Sequence, residues 1–127
     1  MKNIEISGVD YGYASESKIF QNLDVSFLPG RTALLGPNGA GKSTLISLMA
    51  SVLSPSAGTI EITRANGNRI TSRQLRKFRR LVAWLPQDFS LVAGLSVMEH
   101  VMYAGWLKGM SRRLAKHEAP WAVHAVG

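Results

Sequence analysis

The sequence contains no cysteine, which excludes a small secreted domain held together by disulfides. It also lacks an apolar N-terminal run of the kind that a signal peptide needs. Its longest uncharged stretch, residues 43–60, is interrupted by five serines, Pro55 and Gly58, so it is no membrane-spanning helix. With 127 residues, of which 46% are apolar, the chain is predicted to form one soluble, cytoplasmic domain.

Acidic residues are missing from residues 64–80, which we call the basic segment. It contains seven arginines and lysines, and the rest of the chain balances at eight cations against eight acids. The net charge of +7 is therefore local. We favour a solvated surface, because the segment has little aromatic content beyond Phe78 and the chain lacks a motif for binding DNA or RNA. The alternative is binding to nucleic acid or to an anionic membrane surface.

Alternating apolar residues predict strands at residues 4–6, 24–28 and 58–63. The Asn66-Gly67 pair is typical of a tight turn, and it predicts a hairpin that returns through Arg69-Ile70.

Two continuous apolar runs, Thr32–Leu35 and Leu81–Leu85, predict a different kind of strand. A run without alternation is typical of a strand buried on both faces, as in a parallel sheet. Trp84, in the second run, is accordingly predicted to lie in the core.

Helices are predicted after the glycine-rich residues 36–41 as far as Leu53, at Gln74–Arg80, and from Val97 to about Lys108. Ser96 and Glu99 form a capping box ahead of the third. Ser111 is predicted to cap a last helix, which Pro120 is expected to kink or interrupt. A stripe at helical spacing consists of Met98, Met102 and Trp106. We interpret it as a packing surface, and the alternative is a face toward a partner.

The residues from Gly36 to Ser43, GPNGAGKS, match the P-loop pattern G-x-x-x-x-G-K-[ST]. Glycines let several backbone N–H groups point at a phosphate chain without obstruction by side chains. The following helix adds its unpaired N–H groups and the positive end of its dipole. Lys42 supplies a charge for the β- and γ-phosphates, and the Ser43 hydroxyl is placed to ligate Mg²⁺. The sequence therefore predicts a phosphate site.

The longer string from Leu35 to Leu45 resembles the ATP-binding subunits of ABC transporters. Tyr13 lies where that family places the aromatic residue that stacks on adenine, and we favour it over Tyr11 on spacing. Residues 53–60 resemble the family's turn into its antiparallel strands. Leu85-Pro86-Gln87 matches the Q-loop, and residues 95–100 resemble the opening of the helical subdomain that docks on the permease.

The resemblance implies an α/β fold: a partial P-loop NTPase core with an N-terminal antiparallel β part and the start of a helical subdomain. Residues 1–127 are then an incomplete ABC-type ATP-binding domain, with the core in residues 1–90 and the helical part in residues 91–127. ATP and Mg²⁺ are the implied cofactors. The residues predicted to bind nucleotide are Tyr13, Gly36, Pro37, Asn38, Gly39, Ala40, Gly41, Lys42, Ser43 and Thr44. Lys42 and Gln87 are predicted to be catalytic, and Ser43 and Gln87 to ligate Mg²⁺.

The family's signature sequence, its strand ending in Asp-Glu and its switch histidine are not found in the sequence. We therefore interpret the chain as the N-terminal part of an ATP-binding subunit, which binds nucleotide and hydrolyses almost none alone. The implied partners are a separate membrane permease and a second ATP-binding subunit, at the inner face of the cell membrane. Nucleic acid is not an expected partner, although an ATPase of this type associated with nucleic acid is the alternative function.

Overall fold

The computed structural model describes residues 3–14, 17–88 and 90–127. The elements are β1 (Asn3–Ala14), β2 (Ser17–Phe27), α1 (Lys42–Met49), β3 (Ala57–Thr63), β4 (Arg69–Thr71), α2 (Leu75–Leu81), α3 (Val97–Leu107) and α4 (Arg112–His124). They form two compact units, one extending as far as Trp84 and the other covering Leu85–Gly127.

The first unit is built on a four-stranded antiparallel sheet in the order β2-β1-β3-β4. Isoleucines face one another across it, because Ile6 pairs with Ile60 and Ile4 pairs with Ile62. The β3–β4 hairpin is confirmed, with the Gly67 amide donating to the Arg64 carbonyl at 2.9 Å. Its turn is longer than two residues, because the Arg64 amide donates to the carbonyl of Asn68.

A bulge in β1 lets both Ile6 and Val9 point into the core. Residues three apart on a regular strand face opposite sides of the sheet, yet both side chains are buried. The register of β1 shifts between them, at Gly8, which has φ of 59°. The extra residue of the bulge turns the Val9 side chain to the same face of the sheet as Ile6.

Each of the first two helices contributes one fully buried side chain to the core. Leu48 of α1 and Phe78 of α2 are 0% exposed and pack with the buried residues of the sheet. The cluster consists of Ile6, Val9, Leu48, Ile60, Ile62 and Phe78. Phe78 is the one fully buried side chain of the mainly basic helix α2, and Leu81 at the end of the helix packs against the same core.

The second unit contains α3 and α4, whose N-terminal caps match the sequence prediction. The Ser96 hydroxyl accepts from the Glu99 amide, and the Glu99 carboxylate accepts from the Ser96 amide, which completes the capping box. These hydrogen bonds with Ser96 lower the pKa of Glu99. Ser111 caps α4 by accepting from the Leu114 amide at 3.2 Å. Across the described ranges, no helix is long and apolar enough to cross a membrane.

The two predicted parallel strands are wrong. Residues 32–35 are irregular and Leu35 is 91% exposed, while residues 82–85 are irregular and Trp84 is 42% exposed rather than in the core. A strand needs a neighbour that satisfies its backbone N–H and C=O groups. In the part of the chain that the structure describes, the sheet consists of β1 to β4 and offers neither run a partner.

Two helix boundaries also differ from prediction. α1 ends at Met49 rather than Leu53, because the chain reverses at Ser51, which has φ of 58°. Pro120 does not interrupt α4, which continues through it to His124. The other predicted helices are confirmed, with α2 at Leu75–Leu81 and α3 at Val97–Leu107.

Candidate phosphate-binding site

The glycine-rich residues 36–41 lead directly into α1, as the P-loop pattern requires. Gly39 and Gly41 have φ of 81° and 82°, a region that side chains rarely adopt. Gly41 is the N-cap residue and has no side chain with which to cap the helix. The first turn of α1 contains no acidic residue. The helix therefore begins with uncapped backbone N–H groups and a positive dipole end, which suit an anion.

Gly41 is also required by packing. A Cβ atom built there lies 2.9 Å from Ile19 Cγ2 and 2.9 Å from Phe20 Cζ, both in β2. The P-loop thus packs closely against two apolar side chains of β2, an edge strand of the sheet. Sequence reasoning missed this support, because Ile19 and Phe20 are distant in sequence and carry no motif.

The Lys42 side chain turns back toward the start of the P-loop. Its ammonium donates to the carbonyl of Gly36 at 2.8 Å and to that of Pro37 at 2.6 Å. These two hydrogen bonds hold the charge at the mouth of the loop rather than in bulk solvent. The Lys42 ammonium, the uncapped amides and the absence of a first-turn carboxylate together fit the phosphate chain of a nucleotide.

Tyr13 of β1 contacts the start of α1. Its hydroxyl lies 3.1 Å from Thr44 Oγ1, and its ring is 68% exposed. Tyr11 instead packs against the hydrophobic core and meets Tyr13 edge-on, with 5.3 Å between ring centroids. The structure therefore brings the mostly exposed Tyr13, and not Tyr11, into contact with the start of α1. Its adenine-stacking role stays a prediction.

The two residues predicted to ligate Mg²⁺ are placed differently. The Ser43 side chain is exposed in the first turn of α1, beside Lys42. Gln87 is exposed at a bend of the second unit. The P-loop, Lys42, Ser43, Thr44 and Tyr13 thus form one cluster in the first unit, and the role of Gln87 stays a prediction.

The comparisons with known proteins show which family the chain is similar to. The ABC transporter family matches residues 20–126. The phosphonates import ATP-binding protein PhnC 1 of Pseudomonas syringae pv. tomato is 38% identical over 99 residues, which are 77% of this chain and 37% of that protein. A putative ABC transporter ATP-binding protein of Pyrococcus furiosus is 29% identical over 125 residues, 98% of this chain and 47% of that protein. The chain therefore spans less than half the length of these relatives.

Solved structures show the same likeness. An ATP-binding subunit of an ABC transporter superposes with a TM-score of 0.66 and 31% identity, covering 85% of this chain and 43% of the other. A bacterial Atm1-family ABC exporter with ATP bound gives a TM-score of 0.60 and 26% identity, over 80% of this chain and 18% of the other. The predicted fold class, a partial P-loop NTPase core, is confirmed, and the chain belongs to the ABC transporter family.

Proposed function

We propose that the chain binds Mg-ATP at the P-loop as part of the ATP-binding subunit of an ABC transporter. The observation that carries the proposal is the cluster at the start of α1, where Lys42 and uncapped amides lie beside Tyr13. Family membership supports a nucleotide as the occupant.

The cluster suggests a role for each predicted residue. The backbone of residues 36–44 and the Lys42 ammonium hold the phosphates, while Tyr13 lies under the base. Ser43 ligates Mg²⁺, which neutralises phosphate charge when bound. The Mg²⁺-ligating and catalytic roles of Gln87 stay predictions. Lys42 must exchange its hydrogen bonds to the Gly36 and Pro37 carbonyls for phosphate oxygens. The loop therefore holds the cation close to its target in advance.

The proposed setting is a subunit at the inner face of the cell membrane that pairs with a second ATP-binding subunit and drives a separate permease. Support comes from relatives such as the phosphonates import ATP-binding protein of Pseudomonas syringae.

The 127-residue chain alone is proposed to hydrolyse almost no ATP. Hydrolysis in P-loop enzymes needs a positioned water and a stabilised transition state. Asp88 is exposed at a bend, and the Glu99 carboxylate accepts hydrogen bonds from the amide and hydroxyl of Ser96. Glu99 is thus already used as a cap, and neither carboxylate ends a buried strand.

Replacement of Lys42 tests the phosphate site. Lys42→Ala removes a charge-assisted contact of about 1.5–3 kcal/mol, so affinity for Mg-ATP and for Mg-ADP should fall roughly tenfold to a hundredfold. Isothermal titration calorimetry measures these affinities, and the ligand-induced shift in melting temperature checks them. The matched control is Lys116→Ala, an exposed lysine of α4, which should bind as the unmodified chain does. Equal affinities of the two variants, or no binding by the unmodified chain, contradict the proposal.

Tyr13 variants separate the base site from the phosphate site. Tyr13→Ala removes a stacking surface of about 1–3 kcal/mol and should weaken ATP binding about fivefold or more, with pyrophosphate binding unchanged. Tyr13→Phe keeps the ring and loses only the hydrogen bond to Thr44, so it should retain ATP affinity. If Tyr13→Phe binds as poorly as Tyr13→Ala, the hydroxyl and not the ring matters, and adenine stacking is wrong.

A further inference from the structure

The basic segment belongs to the first unit, and all seven of its cations are exposed. It runs from the β3–β4 turn through β4 and into α2. Its cations lie in the β3–β4 turn, in β4, in the turn after β4 and in α2. Folding brings Arg64 and Arg80, which are distant in sequence, to the wall of one cavity.

Two of the seven cations have structural partners. Arg69 lies 3.5 Å from Glu61 on the neighbouring strand. The Arg79 guanidinium donates to the Ser51 carbonyl at 2.8 Å, which fastens α2 to the turn after α1.

The other five cations are uncompensated. They are Arg64, Arg73, Arg76, Lys77 and Arg80, all exposed. Among the described residues, no carboxylate lies within 4.0 Å of any of them. Arg76 and Arg80 are four apart on α2, a spacing at which like charges repel. A solvated surface that serves only solubility would relieve this repulsion with interspersed acids.

The surface also has a concave part. A cavity of about 480 Å³ has Arg64 and Arg80 in its wall and Ile62 and Leu81 among its apolar lining. Two guanidinium groups distant in sequence thus share one depression. Guanidinium groups bind phosphate oxygens through paired N–H donors.

The aromatic content argues against single-stranded nucleic acid as the partner. Single-stranded nucleic acid is bound by cations together with exposed aromatic rings on which bases stack. The one aromatic residue of the basic segment, Phe78, is 0% exposed. Leu75, by contrast, is 45% exposed next to Arg76, a pairing of cation and aliphatic side chain that suits the interface of a bilayer.

We infer that Arg64, Arg73, Arg76, Lys77 and Arg80 form a docking surface for an anionic phospholipid bilayer. Each lysine or arginine held near such a bilayer strengthens binding about fivefold, so five of them suffice for measurable, salt-dependent attachment. This surface acts without nucleotide and without a permease, so it is independent of the P-loop.

Vesicle sedimentation tests the inference. The 127-residue chain should bind vesicles of phosphatidylcholine with one third phosphatidylserine, and should not bind vesicles of phosphatidylcholine alone. Binding should weaken steeply between roughly 50 and 200 mM salt, because the Debye length shortens over this range and the charges are screened more strongly. The Arg64→Gln/Arg76→Gln/Arg80→Gln variant should bind about a hundredfold less tightly, with an unchanged circular dichroism spectrum.

The control variant makes the same charge change elsewhere. Arg112→Gln/Arg113→Gln/Lys116→Gln removes three clustered, exposed cations from α4 and should keep most of the vesicle binding. The inference is overturned if both triple variants lose binding equally, if neutral vesicles bind as well, or if a single-stranded oligonucleotide binds more tightly than the anionic vesicles at equal salt.

Discussion

The two units of the chain differ in what fills their interiors. The first unit buries six apolar side chains larger than alanine between a sheet and two helices. The second unit buries only Ala115 and Ala119 between α3 and α4, among the residues that the structure describes. A methyl group removes far less apolar surface from water than an isoleucine or phenylalanine does. The first unit therefore has a hydrophobic core of its own. In the second unit, two helices contact each other through small side chains.

The apolar side chains that the second unit does not bury lie on its surface. Trp106 is 59% exposed, Trp121 is 72% exposed and Val97 is 70% exposed. The predicted stripe of Met98, Met102 and Trp106 is thus incompletely packed. A cavity of about 490 Å³ between the helices is lined in part by Met102, Tyr103 and Trp106. With little buried area, the second unit depends more on its helix caps, and we expect it to open more readily than the first.

The largest expected effect is on the core of the first unit. Phe78→Ala should reduce the free energy of unfolding by about 3–5 kcal/mol, because it removes a fully buried ring and leaves a cavity. Trp121→Ala removes a larger but exposed ring of α4 and should cost less than about 1 kcal/mol. Urea denaturation followed by circular dichroism measures both. Equal losses would show that the second unit is also stabilised by packing.

An intermediate effect is expected where the P-loop meets β2. Gly41→Ala incurs strain at positive φ and a clash with Ile19 and Phe20, so it should destabilise the first unit by more than about 1 kcal/mol. Gly39→Ala is the matched control, with nearly the same φ and no heavy atom within 4 Å of the added Cβ. The difference between their unfolding midpoints reports the packing alone. Indistinguishable midpoints would mean that β2 does not hold the loop.

The smallest effect concerns the capping box of α3 and its dependence on pH. Because hydrogen bonds with Ser96 lower the pKa of Glu99, the ionised carboxylate stabilises the folded helix. This contribution is present above the ordinary value of 4.5 and is lost as the pH falls through the lowered pKa. An NMR titration of the Glu99 carboxyl carbon should give a pKa below that value. In Ser96→Ala it should return toward 4.5, and no change on this substitution would refute the capping interpretation.

Local features were predicted from the sequence with the greatest success. The Ser96 and Ser111 caps, the hairpin at Gly67 and the P-loop each depend on residues close together along the chain. Their hydrogen bonds are made within a few residues, so the local sequence is enough to specify them. Lys42, Ser43 and Thr44 lie side by side at the start of α1 for the same reason, and their binding of nucleotide stays a prediction.

Features that need a distant partner were predicted poorly. The apolar runs at 32–35 and 81–85 indicate a preference for burial, yet a strand forms only where another strand accepts its hydrogen bonds. The hydrogen bond between Tyr13 and Thr44 also joins distant residues, and only the family resemblance, not a local pattern, placed both at one site. The contact of Ile19 with Gly41 was not predicted.

The sequence by itself determined the glycine-rich loop before α1, the helix caps and the uneven distribution of charge, because each is a property of adjacent residues. Only the tertiary structure decided that Tyr13 lies at the loop, that five cations of the basic segment have no acidic partner among the described residues, and that the first unit alone has a core of large side chains. These three features depend on which surfaces pack against one another, and such packing depends on residues throughout the chain.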